Sequence, residues 1–166
     1  MRNRLYSAML AGGAVLATTF GATSANAASA TANATANIVQ AITIAENTVL
    51  NFGTIVPTTS AANVTIDTGS VRTCGAGLTC SGTVASGAFT ATGTANQAVS
   101  ISVGGATNLT GAGSPMALSA LTLSNATATL SAGGTTTFTV GGTLAVGASQ
   151  AAGVYNGTYT VNVNYQ

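Results

Sequence analysis

The chain has 166 residues, of which only 3% are charged and 46% are hydrophobic; its formal net charge is +1 and it has no histidine. That inventory excludes whole classes of function. No basic patch is present to bind nucleic acid or an anionic membrane surface, and there is no His or Lys to act as the base a serine nucleophile needs.

The first residues read as an export signal. Arg2 and Arg4 give a positive start, Met9 to Phe20 is apolar but too short to span a bilayer, and Ala25-Asn26-Ala27 is a small-x-small cleavage site. Residues 1–27 are therefore expected to be a signal peptide, with the periplasm and then the cell surface or exterior as destination and no integral membrane segment after cleavage. The alternative is a short N-terminal membrane helix. After Ala27 the only charges are Glu46, Asp67 and Arg72, too few to keep copies apart electrostatically.

Residues 28–37 alternate, with Ala30, Ala32, Ala34 and Ala36 on one side, polar residues between them, and Ile38 continuing the apolar phase. This is either an extended strand-like segment or an unstructured Ala/Thr/Asn tail. The remainder, 38–166, is long enough for one domain with one core. Strands are expected at about 38–44, 49–55 and 63–66, with a turn at Glu46-Asn47. A Gly-rich hairpin region is expected at 68–82, then paired strands at 82–93 and 97–103. Further strands are expected at 120–124 and 135–146, the latter with a bulge or hairpin at Gly141-Gly142.

The last stretch carries the clearest pattern. Tyr155, Gly157, Tyr159, Val161, Val163 and Tyr165 alternate with Asn and Thr, which predicts one strand with an inward apolar row. A terminal strand this apolar must join a sheet or become an aggregation site. Strands every 8–12 residues with Gly-rich turns imply an all-β antiparallel sandwich. Its core must be thin and filled largely by Val, Ala and Thr.

Cys74 and Cys80 are the only cysteines; in an exported chain they read as a disulfide. So short a loop gains roughly 2 kcal/mol and is expected to pin a local hairpin. A metal site would need further ligands, and none is close in sequence. Paired-carboxylate catalysis would require Glu46 and Asp67 to converge; solvated or capping roles are the simpler expectation for both, and Arg72 reads as a solvated loop charge. Gly104-Gly105 and Gly141-Gly142 lack the Lys and the helix of a phosphate loop. No catalytic residue and no cofactor is expected.

Ala-Asn-Ile-Val-Gln at 36–40, Leu-Asn-Phe-Gly-Thr-Ile at 50–55, Val-Gly-Gly-Thr-Leu-Ala-Val-Gly at 140–147 and Gly-Val-Tyr-Asn-Gly-Thr-Tyr-Thr-Val-Asn-Val-Asn-Tyr at 153–165 together resemble the bacterial secreted family called domain of unknown function 4402. That family is in turn similar to spore-coat-protein-U-like subunits of archaic chaperone–usher pili. The resemblance implies an immunoglobulin-like, pilin-like sandwich with an incomplete edge. The groove would be filled first by a periplasmic chaperone and then, at an outer-membrane usher, by the N-terminal segment of the next subunit. It maps the groove edge onto Gly153, Tyr155, Tyr159, Val161, Val163 and Tyr165, and the donor onto Ala30, Ala32, Ala34, Ala36 and Ile38. Pilin donors usually carry bulky apolar residues, whereas an alanine methyl contributes only about 0.8 kcal/mol on burial. Main-chain pairing and Ile38 would have to supply most of the binding. The expected function is a non-catalytic subunit of a surface fibre, a homopolymer serving adhesion or biofilm formation. The alternative is a self-complemented secreted sandwich acting as a coat, matrix or carbohydrate-binding module.

Overall fold

The computed structural model describes residues 27–166; the expected signal peptide, all but its last residue, lies outside the described residues. Ala27–Ala36 carries no regular secondary structure. Within the compact unit Asn37–Gln166 the strands are β1 (Thr43–Thr48), β2 (Thr54–Val56), β3 (Ala62–Ile66), β4 (Arg72–Cys74), β5 (Thr79–Ser81), β6 (Gly87–Thr92), β7 (Ala98–Gly104), β8 (Leu118–Leu123), β9 (Thr127–Thr129), β10 (Thr135–Val146) and β11 (Thr160–Tyr165). All pairings are antiparallel, and no helix occurs among the described residues. The protein is an all-β antiparallel sandwich.

The larger sheet is built around β10. Its Val140 pairs with Gly87 of β6 and with Leu123 of β8, and its Thr143 pairs with Thr65 of β3 and Ser119 of β8. A strand has two edges, so β8 holds one of them while β6 and β3 share the other, changing over at Gly141-Gly142. The strand runs straight through this glycine pair; the irregularity is a register shift against β8 between Gly141 and Thr143. β1 closes one end of the sheet beyond β6, and β4 the other beyond β3. The second sheet has the order β11-β7-β9, and β2 and β5 form a two-stranded sheet.

Alternation along these strands produces two adjoining cores. In the first, Phe89 and Ala91 of β6 and Phe138 and Val140 of β10 meet Val99 and Ile101 of β7 and Val163 of β11. The rings of Phe89 and Phe138 stack with centroids 5.5 Å apart, and each such buried side chain is worth about 1.5–3 kcal/mol. The second core gathers Val64, Ile66, Leu118, Leu144 and Val146 with Phe52 and Met116.

Several sequence expectations are corrected. The first strand begins at Thr43, not 38, and runs through the expected turn at Glu46-Asn47, which is a register shift in its pairing with β6. Of the expected strand 49–55 only Thr54 and Ile55 lie in a strand, β2. β6 and β7 do not pair: Gly93 to Asn96 carries the chain from the large sheet to the second one, and the buried faces of the two strands meet each other across the first core. β4 and β5 do not pair with each other either; β4 pairs with β3 and β5 with β2. The disulfide Cys74–Cys80 therefore ties the two-stranded sheet to the large one and is not a hairpin pin. Arg72 is not a solvated charge: its guanidinium donates to the carbonyls of Phe52 and Ser81, at 3.2 and 2.8 Å. Asp67 caps a turn, accepting from the N–H groups of Gly69 and Val71.

Candidate functional site

The sandwich is closed on one side and open on the other. β1 is the edge strand of the large sheet and β11 the edge of the second. Every residue of β1 is exposed, including Ile44, so this strand buries neither face. The chain that continues from β1 and the chain that leads into β11 form the walls of an apolar groove.

One wall is residues 46–57 and the other residues 150–159. Between β1 and β2 the first wall makes one bridge, Asn51 to Ala85, and the second wall makes one, Asn156 to Thr110; neither joins the two walls to each other. The groove has a wide stretch of about 850 Å³ over Phe52, Leu109, Met116, Leu144 and Val146. A narrower stretch of about 230 Å³ follows over Phe89, Leu118 and Tyr159. Leu50, Phe52, Leu109 and Tyr155 line both, so the two stretches are continuous. Val49, Val56 and Val154 stand exposed on the walls, Val154 at 80%. The one charged side chain lining it is Glu46, at the narrow end.

The wall at 150–159 is held by its own side chains. Gln150 Nε2 donates to the carbonyl of Ser114 at 2.6 Å and to Tyr155 Oη at 2.9 Å, and Tyr155 Oη donates to the carbonyl of Ala151 at 2.8 Å. The opposite wall is braced by Arg72 on Phe52 and by β5, which the disulfide anchors.

The alternation expected from Tyr155 to Tyr165 is present except at Gly157: Tyr155, Tyr159, Val161 and Tyr165 are half-buried and Val163 is buried, while Gly157, expected in the same row, is exposed like the polar residues between them. The strand is shorter than expected, beginning at Thr160, because residues 153–158 run beside the groove and find one bridge in place of a ladder. Gly153 and Tyr155 line the wide stretch, and Tyr159 lines the narrow one. Val161, Val163 and Tyr165 pack on the first core instead. Of the donor-like residues, Ile38 is 91% exposed, while Ala30, Ala32, Ala34 and Ala36 lie where no strand is formed.

Sequence reasoning missed the glycines that seat the tyrosines. Tyr159, just before β11, and Tyr165, within it, lie over Gly87 at the start of β6 and Gly93 just beyond its end. A Cβ on either glycine would collide with the phenolic oxygen facing it. Tyr159 Oη is buried without a hydrogen-bond partner. Burial, with a smaller contribution from Glu46, pushes its pKa up from 10.0 to about 12. Among the described residues no three His, Cys, Asp or Glu side chains come together as a metal site.

No similar curated protein and no similar solved structure is found for this sequence. Residues 42–165, which take in β1 through β11 and both walls of the groove, match the family described as Domain of unknown function (DUF4402), and the chain belongs to that family.

Proposed function

We propose that this protein is a structural subunit of a bacterial surface fibre, exported and assembled by insertion of the N-terminal segment of one copy into the groove of the next. The observation that carries the reading is the continuous apolar groove between residues 46–57 and 150–159. It lies where the two sheets present edge strands that do not pair with each other. A sandwich with an unfilled edge is completed by an added strand, whose main chain supplies affinity and whose alternate side chains supply fit.

The occupant is the segment Ala28–Ile38 of a second copy. It matches the groove in three respects. It is uncharged, as is the groove apart from Glu46. Its eleven residues approach the length of a wall. Its apolar face is graded, small along the alanines and large at Ile38, as the groove is graded from narrow to wide. With the alanines over Phe89 and Leu118 and Ile38 over Met116 and Leu144, the inserted strand would run antiparallel to residues 150–159. The poor filling power of alanine is then confined to the stretch that has least to fill. Such a fibre gives the terminal edge a partner and removes an exposed aggregation site. A pilin-like role in adhesion or biofilm formation, with a chaperone guarding the groove before assembly, follows from the same reading.

The test is electrophoresis of the chain from Ala28 onward, unheated in detergent, beside a form lacking residues 28–37. The proposal expects a ladder that collapses to one band on heating and is absent from the truncated form. A single monomer band that the truncation leaves unchanged would contradict it.

A further inference from the structure

The segment that precedes β1 is held by a clamp of three residues. Tyr165 Oη donates to the carbonyl of Gln40 at 2.6 Å and accepts the N–H of Thr94 at 2.7 Å. The N–H of Gln40 donates to Thr94 Oγ1, also at 2.6 Å. Both main-chain polar groups of Gln40 are thus bound, although Gln40 belongs to no strand. The phenol reaches this position because Gly93 has no side chain to obstruct it. The clamp joins the C-terminal strand, the β6–β7 corner and the lead-in to β1, which lie far apart in sequence. Just outside it stand Ile38, 91% exposed, and Val39.

A tethered segment competes for its own groove at an effective concentration of order millimolar. A second copy in dilute solution is present at far less. Filling between copies therefore requires that filling within a copy be penalised. The wall at 46–57 follows directly on β1, so to enter its own groove the segment would have to reverse direction between Asn37 and Ile42 and run back along β1. Tight reversals use residues that accept positive φ, chiefly Gly, Asn and Asp. Of the residues there only Asn37, at the outer limit, is of that kind; next come Ile38 and Val39, whose β-branches resist a reversal, and then Gln40, whose N–H and carbonyl are already bound.

We propose that the Tyr165–Gln40–Thr94 clamp is the device that directs the N-terminal segment away from its own groove and toward that of a second copy. This inference rests on the reading of the groove as a strand acceptor. It gives the hydroxyl of Tyr165 a task separate from the packing of its ring. The ring completes the first core, and the hydroxyl sets the path of the chain.

The experiment compares Tyr165→Phe, which keeps the ring, and Thr94→Val, which removes the acceptor for Gln40, with the unaltered chain from Ala28 onward. All are refolded at the same dilution. Light scattering after size exclusion gives the monomer-to-oligomer ratio, limited proteolysis the accessibility of residues 28–37, and thermal unfolding the integrity of the fold. The expected result is a shift toward monomer of about tenfold in Thr94→Val, the equivalent of the one hydrogen bond it removes, and of at least that in Tyr165→Phe, which removes two, with residues 28–37 protected in that monomer. Folded variants that oligomerise as the unaltered chain does would overturn the clamp while leaving the strand-acceptor reading intact, as would monomers whose N-terminal segment is cut freely. An unaltered chain that forms no oligomer dependent on residues 28–37 would overturn the reading of the groove itself.

Discussion

The two cores are made from the same kind of strand and reach different ends. Around Phe89 and Phe138, two sheets supply opposite faces, and the side chains close against each other. Around Phe52 and Leu144, one sheet supplies the floor. The cover is left to the irregular stretches at 48–53, 109–116 and 150–159. Patterning is therefore equal in the two halves; what differs is whether a strand is available on the facing side. In the proposed fibre the open half is the part another strand would finish, while the closed half has its own facing sheet.

Truncation of buried side chains should separate the halves most strongly. Phe138→Ala removes a ring enclosed by both sheets and is expected to cost about 3–5 kcal/mol. Leu109→Ala, a half-buried residue lining the groove, should cost about 1–2 kcal/mol, since less of that side chain leaves water on folding. Denaturant titration of both variants checks this, and equal losses would erase the distinction between the cores.

Much of the paired-strand framework of both halves is legible in the sequence. The period of two from Tyr155 to Tyr165 identifies the inward row, and the same pattern marks Asn63 to Ile66 and the run from Thr135 to Val146. These stretches bury one face, so hydrophobicity and geometry agree. The cover of the open half and the edge strand β1 read poorly for the opposite reason. Residues 49–53 alternate like a strand but find one bridge partner in place of a ladder, and β1 is a strand although every one of its residues is exposed. Pairing is also out of reach of local pattern. Nothing in Gly93 to Asn96 says that the chain changes sheets there, or that Cys74 and Cys80 belong to different ones. The glycines beneath Tyr159 and Tyr165 become meaningful only once the sheets face each other.

Tyr159 sits at the junction of the two halves and should give the smallest effect. Its hydroxyl is buried without a partner, so Tyr159→Phe is expected to change stability near neutral pH by less than about 1 kcal/mol, because no hydrogen bond is lost. Its pKa stands at about 12 in the fold against 10.0 for the free group. Above pH 10 the unfolded chain loses this proton while the folded one retains it, so the stability contributed by the neutral phenol falls as pH rises from 10 to about 12. The phenylalanine variant should lack that part of the alkaline decline. Identical pH profiles would place the hydroxyl in contact with water and the narrow stretch of the groove in free exchange with solvent.

The central claim is that the open half is completed by another copy. The most direct measurement uses two differently tagged chains from Ala28 onward, one carrying Ile38→Cys and the other Met116→Cys, refolded together and then oxidised. The account predicts a disulfide-linked dimer carrying both tags, reduced to monomers by thiol and lost when residues 28–37 are deleted from the first chain. Failure of the two chains to cross-link, with both folded, would contradict it.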